Sequence, residues 1–276
     1  MSVRIMLSIA CALLSLVGEV NAHEFWIRPG TFEARPGALG KFFLMHGHRF
    51  DGEFVPRNNP YVKRFELISS NEVQSVLGRH GQSTNVARFG DAGTNIVVYE
   101  SEEVRSELGA ERFAAYLEEQ GLDHVVEQRK ARGEDDQPGI EVYVRCAKAL
   151  VRVFDEPSTG ATSLRDRVVG LPLELVLEPL DEAFTGGQAR VRVLYRGDPL
   201  PNARVVAVSQ QRMHEESASR VLQTDADGFA DVPLDESGPW MLTCLHMIRT
   251  DDREDADWKS FWASLTFQVV LPPTAG

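Results

Sequence analysis

Positive charge is scarce in this chain: 29 Lys and Arg stand against 41 Asp and Glu, a formal charge of −12 at pH 7. A surface of that sign repels a phosphate backbone, which sets nucleic-acid binding aside. Cysteine is scarcer still. Three in 276 residues cannot staple a small scaffold, and two mature thiols cannot make a structural zinc site by themselves. The longest apolar run, 5–17, falls short of the ~20 residues a membrane-spanning helix needs. Gly-rich phosphate loops, G-x-S-x-G and H-E-x-x-H are all missing, and neither Cys146 nor Cys244 has an adjacent base. With no catalytic constellation in view, the chain is not expected to be an enzyme. The rest of the composition, 43% hydrophobic and 25% charged with 22 Gly and 14 Pro, is that of a globular protein rather than a disordered, collagen-like or coiled-coil one.

The first residues form a three-part export signal. Arg4 supplies the charge, 5–17 the apolar region, and Gly18-Glu19-Val20-Asn21-Ala22 the small residues before a cut. Val20-x-Ala22 predicts cleavage between Ala22 and His23, hence a signal peptide over 1–22 and an exported protein. Ser8-Ile9-Ala10-Cys11 is a rival lipobox, but it lacks the usual Leu and leaves almost no apolar region upstream. Cleavage removes Cys11. Cys146 and Cys244 then remain, either as one disulfide or as two buried thiols.

Short strand signals dominate the mature chain. Residues 23–28, 39–45, 64–69, 94–99 and 140–154 are rich in β-branched and aromatic residues and bounded by Gly, Pro or Asn. Between them, 101–132 reads as an amphipathic helix pair broken at Gly121, with Phe113, Tyr116 and Leu117 at i, i+3, i+4 spacing. A break at Gly170-Leu171-Pro172 opens a second unit. Strand signals there recur at 173–177, 189–195, 203–209, 221–223, 228–232, 240–246 and 263–270. The expectation is a mainly β protein of two β-sandwich-like domains, 23–170 with an inserted helical pair and 171–276.

Chemistry concentrates on histidine. Cleavage would make His23 the first residue, offering its α-amine and its imidazole as one bidentate chelate. Such nitrogen-rich sites suit copper and nickel and accept zinc or cobalt; the alternative is that His follows the cut by accident. In His46-Gly47-His48, residues i and i+2 of a strand point to one face and can share an ion. A solvated strand-end pair bonded to Asp51 and Glu53 is the alternative. His246 closes an apolar strand, facing either a cavity or a satisfied core. His80, His124 and His214 read as surface residues. Asp225-Ala226-Asp227-Gly228 has calcium-like spacing without a full ligand series and reads as a hairpin turn. The acidic run 251–257 reads as a solvated loop.

Several motifs together carry a resemblance: Ala22-His23-Glu24-Phe25-Trp26-Ile27, Gly47-His48-Arg49-Phe50, Phe113-x-x-Tyr116-Leu117, Arg145-x-Ala147-Lys148-Ala149 and Trp258-x-x-Phe261-Trp262. In this order, across the mature chain, they resemble domain-of-unknown-function family 4198. The resemblance implies a periplasmic accessory component of nickel or cobalt uptake, and for 197–246 a carboxypeptidase-regulatory or transthyretin-like sandwich. His23 matches the opening motif and His48 the Gly-His pair; His46 and His246 are local additions. The functional expectation is a metal-binding protein for nickel or cobalt, with copper as the third option, serving an inner-membrane metal transporter. His23 and His48 would form the site and His46 or His246 would complete it. Two alternatives belong to other classes: a histidine-brace copper oxidase, and a metal-free module binding another envelope protein or a glycan.

Overall fold

The computed structural model describes residues 24–154, 164–178, 187–215, 219–251 and 253–271. The export signal and His23 lie outside the described residues. Ten strands come first: β1 (Glu24–Pro29), β2 (Glu33–Ala34), β3 (Leu39–His48), β4 (Asp51–Val55), β5 (Val62–Ile68), β6 (Val73–Ser75), β7 (Leu77–Gly78), β8 (Thr84–Arg88), β9 (Gly93–Ser101) and β10 (Val104–Leu108). Helices α1 (Ala110–Gln120) and α2 (Asp123–Arg132) follow. Then come β11 (Gly139–Val153), β12 (Leu173–Leu177), β13 (Gly187–Tyr195), β14 (Asp198–Pro199), β15 (Arg204–Ser209), β16 (Arg220–Gln223), β17 (Phe229–Leu234), β18 (Gly238–Arg249) and β19 (Trp258–Val269). The chain is mainly β, as its strand signals predict.

One long sheet runs β16-β15-β18-β19-β11-β9-β5-β6, with β2 and β10 also paired to β11. A smaller sheet, β1-β3-β8-β7 with β4 on β3, covers one face, and β12-β13-β14 with β17 covers the other. The side chains of β11 alternate accordingly. Val144, Cys146 and Leu150 enter the core beneath β12 and β13, while Ala147, Ala149 and Val151 pack with Ile27, Phe42 and Leu44. A strand buried on both faces reads as a nearly continuous apolar run.

The break at Gly170-Leu171-Pro172 does fall between strands, β11 and β12, and Gly170 takes a left-handed φ of 81°. The central sheet nevertheless draws on both sides of it. β11 pairs in parallel with β19 from Glu141↔Trp258 to Ala149↔Thr266. A buried carboxylate ties the two sides further. Glu174 accepts Lys148 Nζ at 2.9 Å and the backbone N–H groups of Val169, Gly170 and Leu171 at 2.8–3.1 Å.

The helix pair breaks at Gly121, as its spacing predicts: Gly121 is left-handed at φ 66° and its N–H closes on Leu117 and Glu118. The start of that block needs correcting. Residues 101–108 are not helical; they end β9 and form β10, whose inward Val104, Ser106 and Leu108 alternate with exposed Arg105 and Glu107. Charged residues at every second position gave that segment a helix-like composition, but pairing with β11 decides its state. Phe113, Leu117 and Val125 then pack on Met247 and Trp258.

The cysteine question resolves in favour of two buried thiols. Cys146 and Cys244 are both free, and Ala263 of β19 stands between them in register. Two strand spacings, about 9.6 Å, exceed the reach of a disulfide. Asp225 does organise a turn, its Oδ1 accepting the N–H groups of Asp227 and Phe229 at 2.9 Å. It is a corner rather than a hairpin, since β16 and β17 belong to different sheets.

Candidate functional site

The His46-Gly47-His48 segment ends β3 and enters a two-residue hairpin closed by the pair His48↔Asp51. Gly47 faces Gly52 across that hairpin, and the backbones approach so closely that a Cβ on Gly47 would lie 2.0 Å from the Asp51 carbonyl oxygen. The glycine between the histidines is therefore a steric requirement. The turn residues are unusual. Arg49 and Phe50 both adopt left-handed φ, 51° and 72°, where such turns favour Asn-Gly. Phe50 is held by burial and by stacking on Trp26, with ring centroids 5.8 Å apart. Glu24 lies against the same turn. Burial lifts its carboxyl to about 7, against the pull of the Arg49 and Phe50 backbone N–H groups, and its Oε2 is shielded with no hydrogen-bond partner among the described residues.

The predicted ligands fall in different places. His46 is half-buried and His48 exposed, and strand alternation sets both on one face of β3. Arg49 Nε donates to His48 Nε2 at 3.0 Å, so a metal taking that nitrogen must displace the guanidinium. His246 lies elsewhere. Its register partner Phe261 joins the core under β12 and β13, so His246 faces away from the β1–β3 side of the central sheet. There it meets the Tyr195 ring edge-on at 4.7 Å, and burial, then His124, pushes its imidazole down to about 4. His124 is exposed, as the sequence predicts, and its Nε2 meets the Met247 carbonyl at 3.0 Å. His214 is exposed near Asp51. Among the described residues, no three His, Cys, Asp or Glu converge on one point.

A cleft of about 670 Å³ opens beside His46. Sequence reasoning missed it. Its floor is the central sheet, with Tyr99 and Ser101 of β9, Ser106 and Leu108 of β10, Glu141, Tyr143 and Arg145 of β11, and Trp262 of β19. Phe25, Leu44, His46 and Phe54 form one wall and Tyr116 of α1 the other. Arg145 sits at the centre. Its guanidinium carbon lies 4.7 Å from the Trp262 ring, 4.9 Å from Tyr143 and 5.9 Å from Phe25, a cage of aromatic faces. Burial lowers the proton affinity of this guanidinium. Glu141 accepts Ser260 Oγ at 2.6 Å and Tyr116 Oη at 3.5 Å, and burial pushes its carboxyl up against those bonds. The available signal was Glu141-x-Tyr143-x-Arg145: polar residues at alternate positions of one strand face, interleaved with apolar Val142, Val144 and Cys146.

No curated protein matches this sequence. Among solved structures, the D00-D0 domain of Intimin aligns at 8% identity with a TM-score of 0.21, covering 89% of this chain and 99% of that domain. A likeness that slight carries no argument. The family comparison is decisive, because the model described as "Domain of unknown function (DUF4198)" matches residues 20–248. It takes in the opening motif, the hairpin, the helix pair and the β9, β10 and β11 residues of the cleft floor, stopping before Trp262, and on that match the chain belongs to the DUF4198 family.

Proposed function

We propose that this is an exported metal-binding protein, cut after Ala22, which carries nickel or cobalt, with copper as the third option, for an inner-membrane uptake system. One observation carries the reading: β1 enters the small sheet with Glu24 opposite Gly47. The residue bonded to Glu24 in the sequence is His23. A mature terminus there brings an amine and an imidazole to the end of β3 that carries His46 and His48. Three nitrogens from His23 and His48, joined by His46, form a donor set suited to late first-row metals. His246, on the opposite face of the central sheet, is not part of this proposal.

The test is calorimetric titration of Ni²⁺, Co²⁺ and Cu²⁺ into chain beginning at His23, against the same chain with one extra leading residue. Both nitrogens of the chelate bind deprotonated, so affinity rises from about pH 5 to pH 8. The extra residue, His23→Ala and His48→Ala should each weaken binding by at least ~10-fold. Equal affinity with and without the extra residue would remove the amine from the site. A lipid-modified chain beginning at Cys11 would remove the proposal entirely.

A further inference from the structure

The small sheet has a second face, turned away from the central sheet. Ile27, Phe42 and Leu44 point inward to the core, so alternation turns Arg28, Leu39 and Lys41 outward. Register sets Leu39 opposite Arg88 and Lys41 opposite Val86, with Leu77 on the far side of Val86. Phe54 of β4 joins this face, its ring 5.2 Å from that of Phe43 and 6.0 Å from the Arg28 guanidinium carbon. Leu39, Phe54 and Leu77 are 56%, 50% and 65% exposed. Apolar side chains scattered singly over a surface are ordinary, but these three share one sheet face. Three cations stand among them. Arg28 lies over Phe54 and Arg88 donates to the Gly37 carbonyl at 3.1 Å, and neither they nor Lys41 meets a carboxylate among the described residues. The one acid with the same strand alternation, Glu24, is tucked under the hairpin turn at the other end of β1, where Trp26 and Met45 pack on Val208 and Met241. In a chain whose acids outnumber its bases 41 to 29, this face is locally positive.

We propose that the outer face of the small sheet docks on a bilayer surface rich in anionic phospholipid. Leu39, Phe54 and Leu77 enter the interface, while Arg28, Lys41 and Arg88 lie on lipid phosphates. The stems of these cations run along apolar neighbours and their charged heads rise to the headgroups. Composition selects a bilayer over an acidic protein. Protein interfaces are depleted of Lys and carry matched donors and acceptors, whereas membrane-surface segments combine Lys and Arg with Leu and Phe. Thr84 is the one hydroxyl turned outward here. The net charge of −12 does not oppose docking locally, because charges beyond ~10 Å are screened at ordinary ionic strength. Docking is independent of the metal reading.

The experiment uses chain 23–276, because the apolar run 5–17 would itself enter a bilayer, and EDTA removes any contribution from a metal site. Vesicles of phosphatidylcholine, with and without phosphatidylglycerol, are floated through a density gradient with the protein. The chain should float with the mixed vesicles and stay behind with phosphatidylcholine alone, and about 0.5 M salt should release it. Lys41→Gln with Arg88→Gln should weaken binding ~25-fold, about 5-fold for each cation. Leu39→Ser with Leu77→Ser should weaken it at least ~5-fold. Arg112→Gln with Lys130→Gln makes the same change in net charge on the helix pair and should leave binding as it was. All six positions are exposed, so these variants keep the fold. Absence of flotation with the mixed vesicles overturns the proposal. Equal losses in the sheet and helix variants also overturn it, by reducing binding to net charge. Binding that needs the two cations but not Leu39 and Leu77 overturns it too, and would make the face one for an acidic protein.

Discussion

Strand β11 carries two sheltered cations three positions apart, Arg145 and Lys148, and the two faces of the sheet treat them differently. Lys148 lies beneath β12, 1% exposed, bonded at 2.9 Å to a carboxylate that is equally buried. The lysine lies on the face of β11 that also carries Val144, Cys146 and Leu150 into the core with Leu173, Leu175, Val191 and Val193. Arg145 faces the other way, into the open cleft, among rings. A buried charge that is fully paired serves the fold. Arg145 is half-buried, ringed by aromatic side chains on the floor of the cleft. The same strand thus builds a closed face and an open face, and alternation alone separates them.

Stability measurements decide how far this contrast holds, and the largest effect belongs to the closed face. Glu174→Leu strands the Lys148 ammonium together with the N–H groups of Val169, Gly170 and Leu171. Urea unfolding should show a loss of about 3–5 kcal/mol. Lys148→Met leaves those three N–H groups satisfied and should cost less, about 2 kcal/mol. Arg145→Met should cost about 1 kcal/mol, the scale of its ring contacts. A loss for Arg145→Met equal to that for Glu174→Leu would make both cations structural and dissolve the distinction.

Acidity separates the two sides next. In the folded chain the Glu24 carboxyl, raised from 4.5 to about 7, keeps a proton that the unfolded chain has released. Its contribution is complete below about pH 4.5 and is lost as pH rises through 7, by at most ~1.4 kcal/mol for each pH unit crossed. His246 behaves in the opposite sense. Lowered from 6.5 to about 4, it stays neutral in the folded chain while the unfolded chain takes up a proton, so its contribution is lost as pH falls from 6.5 to 4. Thermal melts in chelator should therefore flatten above pH 4.5 in Glu24→Gln and below pH 6.5 in His246→Phe. The smallest expected effect is none. With Ala263 between them, Cys146 and Cys244 should leave the melting temperature unchanged by reductant, and a drop would mean that they pair.

Most of the strands were legible in the sequence because apolar and β-branched runs bounded by turn residues report burial directly. The span 173–177 matches β12 to the residue, and Gly121 marks the helix break. Short strands such as β4, β7 and β10 were not legible. They are held by partners rather than by their own propensity, and β10 has enough Glu and Arg to pass for helix. The hairpin histidines were visible as a local pattern. The cleft was not, because its floor takes residues from β9, β10, β11 and β19, and only the parallel β11–β19 register brings Trp262 beside Arg145. For the same reason alternation could assign His246 to a strand face but not say which layer that face meets.

That parallel pairing also bears on how the molecule assembles. Ser260 and Glu141, which share a hydrogen bond across it, are 119 positions apart in the chain. Parallel strands cannot close through a local turn, so their loop entropy is lost before any contact returns it. Among the described strands, β19 is the last to be synthesised, yet it lies at the middle of the sheet, between β18 and β11. Until it arrives, β11 along 141–149 and β18 along 238–249 present open edges, the kind that pair with other chains. Folding of this protein is therefore expected to be slow and to finish from the inside, with the central strand inserted last and a holding chaperone most useful in the interval before it.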